Sequence, residues 1–255
     1  MFPFPLVDLH VHLKGGLTLE DALDRSRRDG IRYGIAINCG KGFAVQDDVE
    51  ALKFCDSLKG QPVFIGMQAE GREWTSMFSC QAAARFDYVF TDAMTWTDDH
   101  GRRMRLWIQE EVGTIADVEE FMKTLVERSV DILENEPIDI FVNPTFLPAT
   151  IAGDYDRLWS EERMARVIRA AAKNSVAIEL NDLYHLPSSK FVRMAKAAGC
   201  KFTLGTNNTG PGDLGKSEYG RRMIDECGLA AGDFFVPGAG GLKAALRKPA
   251  AFRKV

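Results

Sequence analysis

Only four histidines occur in this 255-residue chain, and two of them, His10 and His12, stand in the stretch VDLHVHLKGG near its start. Residues two apart on a strand point to the same face, so both rings would share one side of the first strand. Paired neutral imidazoles are good ligands for a divalent cation, and a cation held that way activates water near neutral pH. The rest of the chain must then supply carboxylates to complete the ligand set.

Which residues can join the pair depends on the elements that carry them. Strands are expected at residues 6–12, 33–39, 63–69, 88–94, 138–143, 176–181 and 202–207, with a weak last one at 234–236. Between them lie helical patterns over 18–29, 47–58, 77–85, 115–134, 160–173, 188–198 and 217–227. Thr18 and Asp21 make a capping-box pattern, Gly30 is a stop signal, and Ser76 is expected to cap the helix over 77–85. The strands are mostly apolar on both faces, as in a parallel sheet covered by helices. No linker, low-complexity tract or composition break interrupts the pattern, which predicts one domain over residues 1–255. Seven βα units and a doubtful eighth predict a TIM-like α/β barrel. A doubly wound open sheet is the alternative; its Gly-rich first turn is only weakly matched by residues 13–17.

In such a barrel the chemistry collects where strands end and βα loops begin. Those positions hold His10, His12, Asn38, Glu70, Asp92, Asn143, Glu179, Asn181, Asn207 and Asn208. Nearly every strand therefore ends in a residue able to coordinate or hydrogen-bond. Lys14, Lys41, Arg72 and Arg102 fall in the loops above them, where they could clamp an anion.

Bulk composition narrows the partners. With 45% hydrophobic and 27% charged residues the chain can bury a full core, and a net charge of −4 gives no footprint for nucleic acid or an anionic membrane. The start, MFPFPLVDLH, lacks the basic segment and long apolar run of a signal peptide, and no stretch approaches a membrane span. Five scattered cysteines without a CxxC pair point to reduced thiols and a cytoplasmic protein.

VDLHVHLKGG, read with the βα rhythm, resembles the first motif of the PHP (polymerase and histidinol phosphatase) family. FIGMQAEG is similar to the family's third-strand motif, whose glutamate ligand falls on Glu70. FDYVFTDAM, IDIFVNPTF and the segment from AIELND to GPGDLG resemble later strands. The resemblance implies an irregular (β/α)7 barrel, divalent metals and phosphoester hydrolysis. Several ligand positions depart from the family pattern. Asn38-Cys39-Gly40 replaces a Thr-Asp-His-like end, and Met94 replaces a histidine, with Asp92 available on the same strand face. Asn143 replaces the histidine of a His-Pro pair, and Asn207 and Thr209 replace a closing aspartate and histidine.

An asparagine oxygen brings no negative charge to a cation. A multi-metal cluster is therefore not expected. One divalent metal (Zn, Mn or Fe) held by His10, His12, Glu70 and Asp92 is the expectation. Asp92, Glu179 and the loop residue His100 are the candidate catalytic groups. Lys14, Arg72, Asn143, Asn207 and Asn208 are the candidate substrate contacts. The leading reading is a metal-dependent hydrolase of a small phosphorylated or otherwise anionic substrate. Two alternatives stand beside it: a relative that has lost its metal and binds a ligand or protein partner, and an amidohydrolase-type barrel, which also opens with HxH.

Overall fold

The computed structural model describes residues 4, 6–97, 101–239 and 241–253. Seven parallel strands close into a barrel: β1 (Leu6–Val11), β2 (Ile31–Cys39), β3 (Phe64–Ala69), β4 (Tyr88–Thr91), β7 (Ile140–Phe141), β8 (Ala177–Asn181) and β9 (Phe202–Gly205). Closure is made by β9 against β1, with Asp8 opposite Leu204. The remaining strands, β5 (Thr95–Thr97) and β6 (Arg103–Arg105), form a separate antiparallel hairpin between β4 and β7. The main outer helices are α1 (Leu19–Asp29), α2 (Asp48–Ser57), α3 (Val118–Asn135), α4 (Glu161–Lys173), α5 (Ser189–Ala197) and α6 (Glu218–Cys227).

Local chemistry sets the helix ends. The Thr18 side chain accepts from Asp21 N while Asp21 returns a bond to Thr18 N, and Gly30 closes α1 at φ 68°. Asp47, Asp117, Ser160 and Ser188 each accept a main-chain N–H of the first turn and so cap α2, α3, α4 and α5. On α4 the buried positions Met164, Val167, Ile168 and Ala171 repeat at helical spacing and pack against the sheet.

The barrel interior is narrow. Leu9, Ala36, Phe64, Tyr88, Phe90, Ile140, Val142 and Ala177 fill it, and Val7, Phe235 and Val236 close its lower end. Tyr88 spans the lumen and donates to Leu9 O at 2.7 Å. Gly34 and Gly66 make that possible, because a Cβ at either position would overlap the Tyr88 ring. Larger side chains such as Trp74, Trp159 and Phe191 pack in the layer between strands and helices.

Several expected elements differ in the structure. The expected helix over 77–85 is two single turns, Trp74–Met77 and Cys80–Ala83, and Ser79 rather than Ser76 supplies the cap. Phe78, buried at an extended backbone position, separates them. The expected eighth strand is one isolated bridge between Phe202 and Phe234. Strand β7 shrinks to two residues, and the loop after β4 carries the unexpected β5–β6 hairpin. The fold is thus an irregular (β/α)7 barrel. No helix among the described residues is long and apolar enough to cross a membrane.

Candidate active site

A defect in β1 sets up the site. Its pairing with β2 shifts register between Asp8 and Val11. Leu9 lies in the interior cluster, yet the ring of His10, the next residue, sits 4.8 Å from Phe90 of that same cluster. On a regular strand these neighbours would face opposite sides; a bulge lets both turn inward. Asp8 secures it: Oδ1 accepts from His10 N and Thr206 N, both at 3.1 Å, and Oδ2 accepts from the Thr206 hydroxyl. The bulge turns Leu9 and His10 inward together, while His10 and His12, on either side of the outward-packed Val11, share one face as period-two alternation expects. Their rings meet edge to face with centroids 5.3 Å apart.

Each imidazole is gripped through the same nitrogen. His10 Nδ1 donates to Glu179 Oε1 at 2.6 Å, and His12 Nδ1 donates to Ala36 O at 3.0 Å. Burial, with the charges of His10 and Lys14, drops the His12 pKa to about 3, so that ring stays neutral. With Nδ1–H fixed on an acceptor, a neutral ring leaves its Nε2 lone pair free. His10 Nε2 is buried and has no partner.

Two carboxylates form the other side. Glu70, at the end of β3, accepts from Asn38 Nδ2 at 2.7 Å, and Asp92, just past β4, accepts from Met94 N at 2.8 Å. Burial, and then the charge of Asp92, push Glu70 up to about 8, and burial raises Asp92 as well. Like charges placed together out of water favour holding a proton or receiving a cation.

A continuous network joins the two sides. Asn143 Nδ2 donates to Asp92 Oδ2 at 3.1 Å, while Asn181 Nδ2 donates at 2.9 Å to both Asn143 Oδ1 and Glu179 Oε2. Asn143 N also reaches Glu179 Oε2 at 2.9 Å, a geometry that needs the left-handed φ of 49° at Asn143. Asn38, Asn143 and Asn181 therefore act as neutral donors that hold carboxylates in place.

His10, His12, Glu70, Asp92, Asn143, Glu179 and Asn208 are all buried at this end of the barrel. Other expected contacts are committed elsewhere. Asn208 pairs with both main-chain groups of His12, accepting from N at 2.8 Å and donating to O at 2.9 Å. Asn207, at φ 47°, donates its main-chain N–H to His10 O. These two residues staple the β9 loop to β1. Arg72 donates to Glu136 at 2.6 Å and to Thr91 Oγ1 at 2.8 Å, and Lys14 is exposed. His100 lies outside the described residues. Gln68, buried on β3 two residues before Glu70 with its side chain against His12, was missed by sequence reasoning. The period-two rule applied to β3 would have found it.

Among the described residues, no three His, Cys, Asp or Glu side chains gather as a metal cage. A divalent metal nevertheless matches the chemistry present. Two imidazoles offer oriented Nε2 lone pairs, one of them buried and unsatisfied, and two high-pKa carboxylates lie in the same mouth.

No family model and no curated protein sequence matches the chain. Solved structures match its fold. Histidinol phosphate phosphatase from Lactococcus lactis, determined with zinc, L-histidinol and phosphate, superposes with a TM-score of 0.60 at 17% identity, covering 89% of this chain and 95% of that one. A candidate histidinol phosphatase from Listeria monocytogenes gives a TM-score of 0.66 at 12% identity, covering 82% of this chain and 97% of that one.

Proposed function

We propose that the protein is a metal-dependent hydrolase of the PHP type, acting on a small phosphorylated substrate at the mouth of the barrel. The observation that carries this reading is the matched orientation of His10 and His12. Each is held through Nδ1 by an acceptor, which leaves Nε2 as the ring nitrogen able to take a cation. The Lactococcus lactis structure supports it, since that protein binds zinc and phosphate on the same fold.

His10 and His12 would hold one divalent cation (Zn, Mn or Fe), with Glu70 and Asp92 as its anionic complement. When bound, that metal supplies a Lewis acid that makes water a competent nucleophile near neutral pH. Glu179 keeps His10 in the ligating tautomer through its 2.6 Å bond, and Asn143 and Asn181 hold Glu179 and Asp92 in register. Burial within the barrel excludes bulk water from the carboxylate pair and strengthens its interaction with positive charge. Until a cation arrives, Glu70 keeps its proton at neutral pH.

The absence of three converging ligands among the described residues favours one rival, a barrel that binds a ligand without hydrolysing it. A hydrolysis assay separates the two. Protein loaded in turn with Zn²⁺, Mn²⁺ and Fe²⁺ is offered a panel of phosphomonoesters and lactones, alongside H12A. The hydrolase reading expects metal-dependent phosphate release that falls at least about 100-fold in H12A. No turnover with any of the three metals would leave only the binding role.

A further inference from the structure

The β5–β6 hairpin brings a guanidinium to the loop beside Glu70. Arg103 lies on β6 and reaches back to the loop after β2, where Nη1 donates to Lys41 O at 2.9 Å. Its guanidinium also lies over the Phe43 ring at 5.1 Å. That loop sits directly above the candidate carboxylates: Gly40, one residue before Lys41, packs so tightly on Glu70 that a Cβ would overlap its main chain. The charge of Arg103 is felt there, because it draws the Glu70 pKa downward against the effect of burial.

One edge of this guanidinium is fixed and the other is unused. Nη2 is buried and has no hydrogen-bond partner. Glu70 Oε1 takes the Asn38 amide at 2.7 Å, and no bond joins Arg103 to Glu70. A buried guanidinium N–H without an acceptor is costly, and two independent contacts hold it that way. The same mouth holds another buried unpartnered atom, His10 Nε2. Arg103 Nη2 is a donor in need of an acceptor and the His10 Nε2 lone pair is an acceptor in need of a cation, a combination that suits an anion arriving with a metal.

We propose that Arg103 is the anion anchor of this site, its Nη2 donating to a non-reacting oxygen of the substrate's phosphoryl group. The inference rests on the phosphoester reading above, but its test is separate. It also assigns the hairpin a role in substrate selection: a guanidinium held on Lys41 and Phe43 favours a tetrahedral oxyanion over a neutral ligand. Arg105, two residues on, is bound to Glu111 and serves as the control.

The test is calorimetric titration of inorganic phosphate into wild type, R103Q, R103K and R105Q, each chelator-treated and zinc-loaded. The expected result is a Kd raised at least ~10-fold in R103Q, raised less in R103K and unchanged in R105Q. If R103Q loses the hairpin fold, seen as loss of the Trp96 near-ultraviolet signal, the comparison passes to R103K, whose Kd should still rise about threefold. An unchanged Kd in R103Q, or no phosphate binding by wild type in either state, overturns the assignment. Loss of phosphate binding in R103Q without phosphoester turnover by wild type would uphold Arg103 and remove the hydrolase reading. Turnover with Kd and KM unchanged in R103Q would do the reverse.

Discussion

Replacing Glu70 with glutamine should stabilise the metal-free protein at high pH and weaken it toward metal. Glu70 is 5% exposed and its pKa is pushed from 4.5 to about 8 by burial and by Asp92. The folded state therefore keeps a proton that the unfolded chain releases in this window, so stability is full below about pH 4.5 and falls as pH rises toward 8. At roughly 1.4 kcal/mol per unit the loss totals about 4–5 kcal/mol, and it levels off above pH 8. E70Q removes that loss while its amide oxygen can still accept the Asn38 bond. In chelator, urea unfolding at pH 9 should show E70Q more stable than wild type by several kcal/mol, or about 10 °C in Tm, with near equality at pH 4. Zinc should reverse the order by stabilising wild type more than the variant. If E70Q were destabilised to the same extent at both pH values, the carboxylate pair would not be the strained element described here.

The remaining expectations follow from neighbouring contacts. E179Q removes the charged acceptor from His10 Nδ1, and zinc affinity measured by competition with a chelating dye should fall about 10–100-fold. N143A loses the link between Asp92 and Asn181 and places alanine at a left-handed φ of 49°, so denaturant unfolding should show a loss of about 2–4 kcal/mol. Asp182, raised to about 7 by burial, makes stability fall as pH climbs from about 4 to 7, and D182N should flatten that part of a stability–pH curve. D8N weakens the clamp on the β1 bulge and should lower metal affinity together with stability, read by dye competition and thermal melts.

Much of the barrel is legible in the sequence because its signals are local. Apolar runs mark β2, β3 and β8, and Thr18, Gly30, Ser160 and Ser188 announce helix ends through their own side chains or backbone freedom. Signals that depend on partners distant in the chain are lost. The β5–β6 hairpin exists through pairs such as Trp96 with Met104 across a loop that reads as polar coil. The helix expected over 77–85 breaks because Phe78 is drawn into the core, which periodicity alone does not reveal.

The site divides the same way. His10, His12, Glu70, Asp92, Asn143 and Glu179 are visible as polar residues ending apolar strands, and the structure buries them together. Their hydrogen-bonding roles are not visible. Nothing in the chain order shows that Asn208 would pair with the His12 main chain, that Glu179 would grip His10, or that Arg103 would swing onto the loop above Glu70. The asparagines read from sequence as neutral hydrogen-bonders and substrate contacts; in the structure Asn38, Asn143 and Asn181 donate to carboxylates, and Asn207 and Asn208 bond the main chain of β1 and the residue after it.

The most direct test of the central claim is metal content. Wild type, H10A and H12A are purified without chelator, equilibrated with zinc, desalted and assayed by mass spectrometry for zinc per chain. One zinc per wild-type chain, lost in both variants while their folds persist, is the predicted result. No retained zinc in wild type, or equal zinc in all three proteins, would contradict a metal held by His10 and His12.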